Sequence, residues 1–90
     1  MEFTHKSNEV ALYNDNGELL AEITFPNINE HTVNINHTFV DPSLRGQGIA
    51  GQLMKEATEE IRSQHKHAIP TCSYAIKWFQ EHPEEQDIIE

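Results

Sequence analysis

One cysteine in 90 residues excludes an internal disulfide, and nothing argues for an oxidising compartment. Cations are scarce as well: Lys6, Arg45, Lys55, Arg62, Lys66 and Lys77 face fifteen acidic residues, for a net charge of −9. General nucleic-acid binding needs a basic face, so that class is excluded. No apolar run is long enough to span a membrane, and no apolar segment follows the N-terminal charges as in a secretory signal. Repeats and low-complexity stretches are absent too. The expectation is one cytoplasmic domain over residues 1–90, monomeric, with a core that is thin for its surface. Glycine is also rare, and three of the four glycines fall at Gly46, Gly48 and Gly51.

That concentration marks the stretch around which the chain is organised. Upstream, Thr32 to Phe39 alternates and reads as a strand. Downstream, Ile49, Leu53, Ala57 and Ile61 recur at i, i+4 with Ala50 and Met54 beside them, so the chain becomes an amphipathic helix. Glycines between the two allow positive φ and close backbone approach. A helix N-terminus aims unpaired N–H groups and the positive end of its dipole at one spot, which suits a phosphate. The loop lacks the Gly-Lys-Ser/Thr of a P-loop, and Gly46-x-Gly48 has no third glycine in the dinucleotide register.

In chain order, Phe3-Thr4-His5 is expected as a short edge strand. Val10 to Tyr13 and Glu18 to Phe25 read as a hairpin through Asn14-Asp15-Asn16-Gly17. Leu19, Ala21, Ile23 and Phe25 share one face of its second arm. After a turn at Pro26 to Asn29, His31 to Val40 is expected as one long strand. Val33, Ile35 and Phe39 would share a face with His31 and His37, opposite Thr32, Asn34, Asn36 and Thr38. Ala68 to Cys72 is a short strand, where Pro70 would break a central ladder. Ser73 to Glu81 is a second helix, ended by Pro83. The acidic tail over 84–90 is expected to dock loosely or fray. His65-x-His67 has no further ligands nearby, so no metal site is expected.

Val40-Asp41-Pro42 followed by Arg45-Gly46-Gln47-Gly48-Ile49-Ala50 resembles the pyrophosphate arm of the GNAT superfamily of acetyl-coenzyme A-dependent N-acetyltransferases. The resemblance implies an α/β (α+β) fold with a mostly antiparallel mixed sheet, a splayed strand pair and two helices. The two helices that follow the first strand in larger members have no room here, since that interval is Lys6-Ser7-Asn8-Glu9. It further implies that acetyl-coenzyme A binds at Arg45, Gly46, Gln47, Gly48, Ile49, Ala50 and Gly51. The donor for the thioester oxygen would come from the backbone of Thr38, Phe39 or Val40. The acceptor would be an unknown amine or protein.

Many family members carry Asn-x-x-Ala-x-x-x-Tyr on the later helix, whose tyrosine protonates the leaving thiolate. The pattern falls here on Cys72, Ala75 and Phe79, and phenylalanine has no proton to give. Cys72, at a helix N-terminus that favours a thiolate, is a candidate to receive the acetyl group. His37 is a candidate base for it, and Tyr74 a candidate acid. His37-Thr38-Phe39-Val40 with Pro70-Thr71-Cys72 is similar to a small GNAT-like family of about this length. A cysteine is also a common packing residue and a histidine on an apolar face a common core residue, so both readings stay open. Glu22 and Glu30 become alternative bases if the wet sheet face holds the acceptor. Beside acetyl transfer stand two rivals, a non-enzymatic acyl-coenzyme A sensor or carrier and a protein-interaction module.

Overall fold

Alternating apolar residues build two small sheets that share one core in the computed structural model, which describes residues 2–90. The first sheet contains β1 (Thr4–Lys6), β2 (Glu9–Tyr13), β3 (Leu19–Thr24) and β5 (His37–Val40), in the order β1-β2-β3-β5 and antiparallel throughout. The second pairs β4 (Thr32–Ile35) in parallel with β6 (His67–Pro70). Helix α1 (Ile49–Ser63) follows the glycine loop and α2 (Ser73–Glu81) follows β6. One face of α1 buries Ile49, Leu53, Met54, Ala57, Thr58 and Ile61. They join Val10, Leu12, Ala21 and Ile23 of the first sheet and Val33 and Ile35 of the second. Each of the valine, leucine, isoleucine and methionine side chains among them contributes about 1.5–3 kcal/mol when fully removed from water.

The expected strand from His31 to Val40 is two strands in different sheets, interrupted at Asn36. Asn36 donates its N–H to the Thr24 carbonyl at 3.3 Å, and Thr24 Oγ1 donates to Asn36 Oδ1 at 2.7 Å. The extra residue shifts the side-chain phase, as a bulge does. Ile35 points into the core before it. After it, Thr38 and Val40 lie opposite the core residues Ile23 and Ala21. Phe39 and His37 therefore take the other face of the sheet, with Glu22 and Thr24, contrary to the expected grouping with Ile35. Thr71 and Cys72 both donate N–H to the Ile35 carbonyl, which ends the parallel ladder and lets β5 and β6 part.

The tail also departs from expectation. Pro83–Ile88 is a 3-10 turn that buries Glu85 and Ile88. Ile89 bridges Ala68, and Glu90 N–H donates to the Ala68 carbonyl. Glu85 accepts from Lys55 and Arg62, and Arg62 also reaches Asp87. Two isoleucines and a carboxylate shared by two cations firmly dock the segment for which the sequence suggests loose docking or fraying. Lys55 thus pairs across the fold to Glu85 rather than along its own helix.

The three-residue edge strand β1 is held by His5, which contacts Glu60 at 2.8 Å and Glu56 at 2.6 Å on α1. Hydrogen bonds to Glu56 and then Glu60 outweigh partial burial and push the imidazole up from 6.5. The stabilisation is thus fully present below 6.5 and lost as pH rises through the raised folded value. Urea midpoints of the protein should fall across that window while those of His5→Gln stay flatter. Parallel pH profiles would show that the clamp adds nothing.

Candidate functional site

The loop between β5 and α1 starts with Asp41, whose carboxylate accepts from the Ser43 N–H at 3.0 Å and caps a 3-10 turn over Pro42–Leu44. Gly46 and Gly48 then take φ of +82° and +73°, which L side chains rarely adopt. Gly48 is the N-cap of α1, with no side chain to satisfy the first N–H groups, and the first turn holds no acidic residue. A Cβ placed on either glycine would meet no atom within 4 Å. The backbone here faces open space, as a loop that accepts a phosphate requires.

That space is a cleft of about 240 Å³ lined by Val40, Leu44, Arg45 and the glycine loop on one side and by Tyr74 of α2 on the other. Gly51, Ile49 and Ala50 line it from α1. Arg45 is exposed at its rim. Burial above all pushes the Tyr74 phenol up, with Glu81 and Cys72 adding to the effect, so the hydroxyl holds its proton at neutral pH. Tyr74 thus sits beside the loop with a proton to give. Phe79, where the resemblance would put a tyrosine, is buried in the core and edge-on to Trp78.

Cys72 is the N-cap of α2, with its sulfur accepting from the Ala75 N–H at 3.4 Å and lying 3.6 Å from Thr38 Oγ1. The sulfur is half-buried and faces β5. His37 is not brought to it. The phase shift at Asn36 turns His37 to the sheet's other face, where Nε2 lies 3.4 Å from Glu22 and the ring is exposed. Burial first, then Glu9, pushes the Glu22 carboxyl up against the opposing pull of His37. Thr38 takes the place expected for His37. The sequence points to Thr38 for its backbone alone, and only the one-residue offset between Ile35 and Val40 in the apolar pattern hints at its side chain. Phe39 lies on the face away from the cleft, and Gln47 is exposed in the loop.

Among the described residues no group of His, Cys, Asp and Glu is placed to hold a metal ion, and no helix is long and apolar enough to cross a membrane.

The profile of the GCN5-related N-acetyl-transferase family matches residues 9–88. Protein NATD1 of Xenopus tropicalis is 33% identical over 63 residues, which are 70% of this chain and 58% of that protein. The chain therefore spans less than two thirds of this relative's length. A GCN5-like protein of Staphylococcus aureus, solved in solution, superposes with a TM-score of 0.80 at 30% identity, over 99% of this chain and 87% of that one. The Escherichia coli GNAT family N-acetyltransferase YhbS, solved in complex with CoA, shares the fold at a TM-score of 0.64 and 20% identity, over 77% of this chain and 42% of that one.

Proposed function

Because the chain belongs to the family of GCN5-related N-acetyl-transferases, we propose that it binds acetyl-coenzyme A in the glycine-loop cleft and passes the acetyl group through Cys72 to an amine. The observation that supports the coenzyme site is the cleft itself, with an uncapped helix N-terminus, two left-handed glycines and Arg45 on one side and Tyr74 on the other. N–H groups of Gly48 to Gly51 and the Arg45 guanidinium would hold the pyrophosphate. The coenzyme supplies an activated acetyl thioester. The parted edge of β5 offers backbone N–H groups of Thr38 to Val40 for the thioester oxygen.

Cys72 Sγ attacks the acetyl carbonyl carbon, and the bond to the coenzyme sulfur breaks as the bond to Cys72 forms. The proton leaving Cys72 ends on the coenzyme sulfur, and the Tyr74 hydroxyl would relay it. Exchange of one thioester for another is nearly isoenergetic, so the step needs positioning more than driving force. An acceptor amine then takes the acetyl group, and its proton returns to the Cys72 sulfur. A carrier or sensor of acyl-coenzyme A is the second reading. It is favoured by the tight turn between β1 and β2, which has no room for the two helices that larger members of the resembled family carry there.

Incubation with acetyl-coenzyme A should yield an adduct of one acetyl group on Cys72, seen by intact mass and removed by hydroxylamine. Cys72→Ser should bind the coenzyme and form no thioester. An unmodified Cys72 together with undiminished amine acetylation by Cys72→Ser would return the sulfur to packing and route transfer directly to the acceptor. Coenzyme binding without any turnover would favour the carrier.

A further inference from the structure

We propose that the Thr38 hydroxyl is the positioning group for the Cys72 sulfur, an inference that rests on the acyl-transfer reading above. Thr38 and Cys72 are 34 residues apart, yet Oγ1 and Sγ lie 3.6 Å from each other. Their contact crosses the gap between the two sheets, which no backbone ladder closes, since β5 pairs with β3 and β6 with β4. From its own helix the sulfur accepts the Ala75 N–H at 3.4 Å. Two partners on different elements therefore define where Sγ sits. Thr38 shares its strand face with Val40, and Cys72 precedes Tyr74 by two residues. Val40 and Tyr74 both line the cleft, and the Thr38–Cys72 contact joins the strand and the helix that carry them.

The chemistry requires a hydroxyl that can reverse its role. While Cys72 is a thiol, its hydrogen can go to Thr38 Oγ1. Once the proton leaves, the thiolate has nothing to donate, and the Thr38 O–H must turn to donate to it. A hydroxyl does both by rotating about one bond, whereas a methyl does neither. β-branching restricts χ1 of threonine, which keeps Oγ1 on the sulfur rather than in solvent. The phase shift at Asn36 makes this possible, because it delivers Thr38 and not His37 to the gap. The other titratable groups on the packed elements do not replace it. His37 is on the opposite face with Glu22, and the Tyr74 phenol, raised chiefly by burial, keeps its proton well above neutrality.

The test follows alkylation of Cys72 by iodoacetamide across pH in the parent and in Thr38→Val, Thr38→Ala and Thr38→Ser. Cys72 is the sole cysteine, so the readout needs no coenzyme. Loss of one hydrogen bond to the thiolate should slow alkylation about tenfold near neutrality in Thr38→Val and Thr38→Ala. Thr38→Ser should follow the parent. If Thr38→Val fails to fold, Thr38→Ala carries the comparison. Superimposable profiles for parent and alanine variant, or a serine variant displaced as far as the alanine one, would overturn the role. Acetyl loading of the same proteins separates the two readings. A parent that never loads, with displaced alkylation profiles, sinks transfer alone. Equal loading with equal alkylation in parent and alanine variant sinks the Thr38 role alone.

Discussion

Gly48→Val should weaken coenzyme binding about a hundredfold while leaving the two sheets and both helices folded. Gly48 sits at φ +73°, where a side chain costs about 1–2 kcal/mol, and a β-branched one sits at the upper end. No protein atom blocks the new side chain, because a Cβ there meets nothing within 4 Å. Gly48 lines the cleft, so the added side chain stands at its wall. Relief of the strain would also turn away N–H groups that a phosphate needs. The lost hydrogen bonds to the charged phosphate, at about 1.5–3 kcal/mol, correspond at the upper end to about a hundredfold in affinity. Gly17 supplies the control: its φ is +80°, its surroundings are equally open, and it lies in the hairpin turn. Gly17→Val should cost comparable stability and leave affinity intact. Isothermal titration with acetyl-coenzyme A decides, and parent-like affinity in Gly48→Val would mean that the phosphate site lies elsewhere.

Arg62→Met should destabilise the fold more than any substitution on the surface of α1. Glu85 is 2% exposed and its carboxylate is shared by Lys55 and Arg62. Removing Arg62 leaves that buried charge with Lys55 alone. A fully buried pair broken in this way costs about 3–5 kcal/mol, and partial exposure of Arg62 reduces that to about 2–3. For a domain of this size the expected drop in melting temperature is about 10–20 °C. The pH dependence carries a sign. Burial alone would raise the Glu85 carboxyl, but its hydrogen bonds to Lys55 and Arg62 prevail and hold it below 4.5. Its stabilisation is therefore present above 4.5 and lost as pH falls through the lower folded value. In Arg62→Met the acid limb of the stability curve should move to higher pH. Thermal melts from neutrality downward measure both effects, and an unshifted limb would show that Glu85 is not held by Arg62.

The elements that local chemistry specifies were legible in the chain. Asn14 to Gly17 reads as a hairpin turn and is one, and the apolar spacing from Ile49 to Ile61 reads as the helix that forms. The glycine loop was readable because positive φ and an uncapped helix start demand glycine at 46 and 48. Missing from that reading was the register between sheets. An alternating run shows its period but not a one-residue insertion within it, and Asn36 is polar on either count. Reading straight through it puts His37 and Phe39 on the core face and Thr38 on the other, which brings His37 to Cys72 in place of Thr38. The tail misled for a different reason. Acidic residues normally favour water, and nothing local reveals that Lys55 and Arg62, 30 and 23 residues away from Glu85, wait for one of them.

The division into two sheets has a consequence for the order in which the molecule assembles. β1, β2 and β3 are sequence neighbours joined by tight turns, so their pairing closes short loops. β4 and β6 meet across separations such as that of Asn34 from Ile69, 35 residues, with the whole of α1 in between. Closing the longer loop costs more chain entropy before any contact rewards it, and parallel pairing gains slightly less per residue. The meander with α1 is thus expected to form the folding nucleus, and the β4–β6 pair to join late. Val33→Ala should accordingly speed unfolding with little change in folding rate, and Ile23→Ala should slow folding. Stopped-flow rates in urea distinguish the two, and a Val33→Ala effect confined to the folding limb would reverse the order. The late-forming pair is also the one that bounds the gap, so amide exchange at Val33 and Ala68 should report opening that the meander does not share.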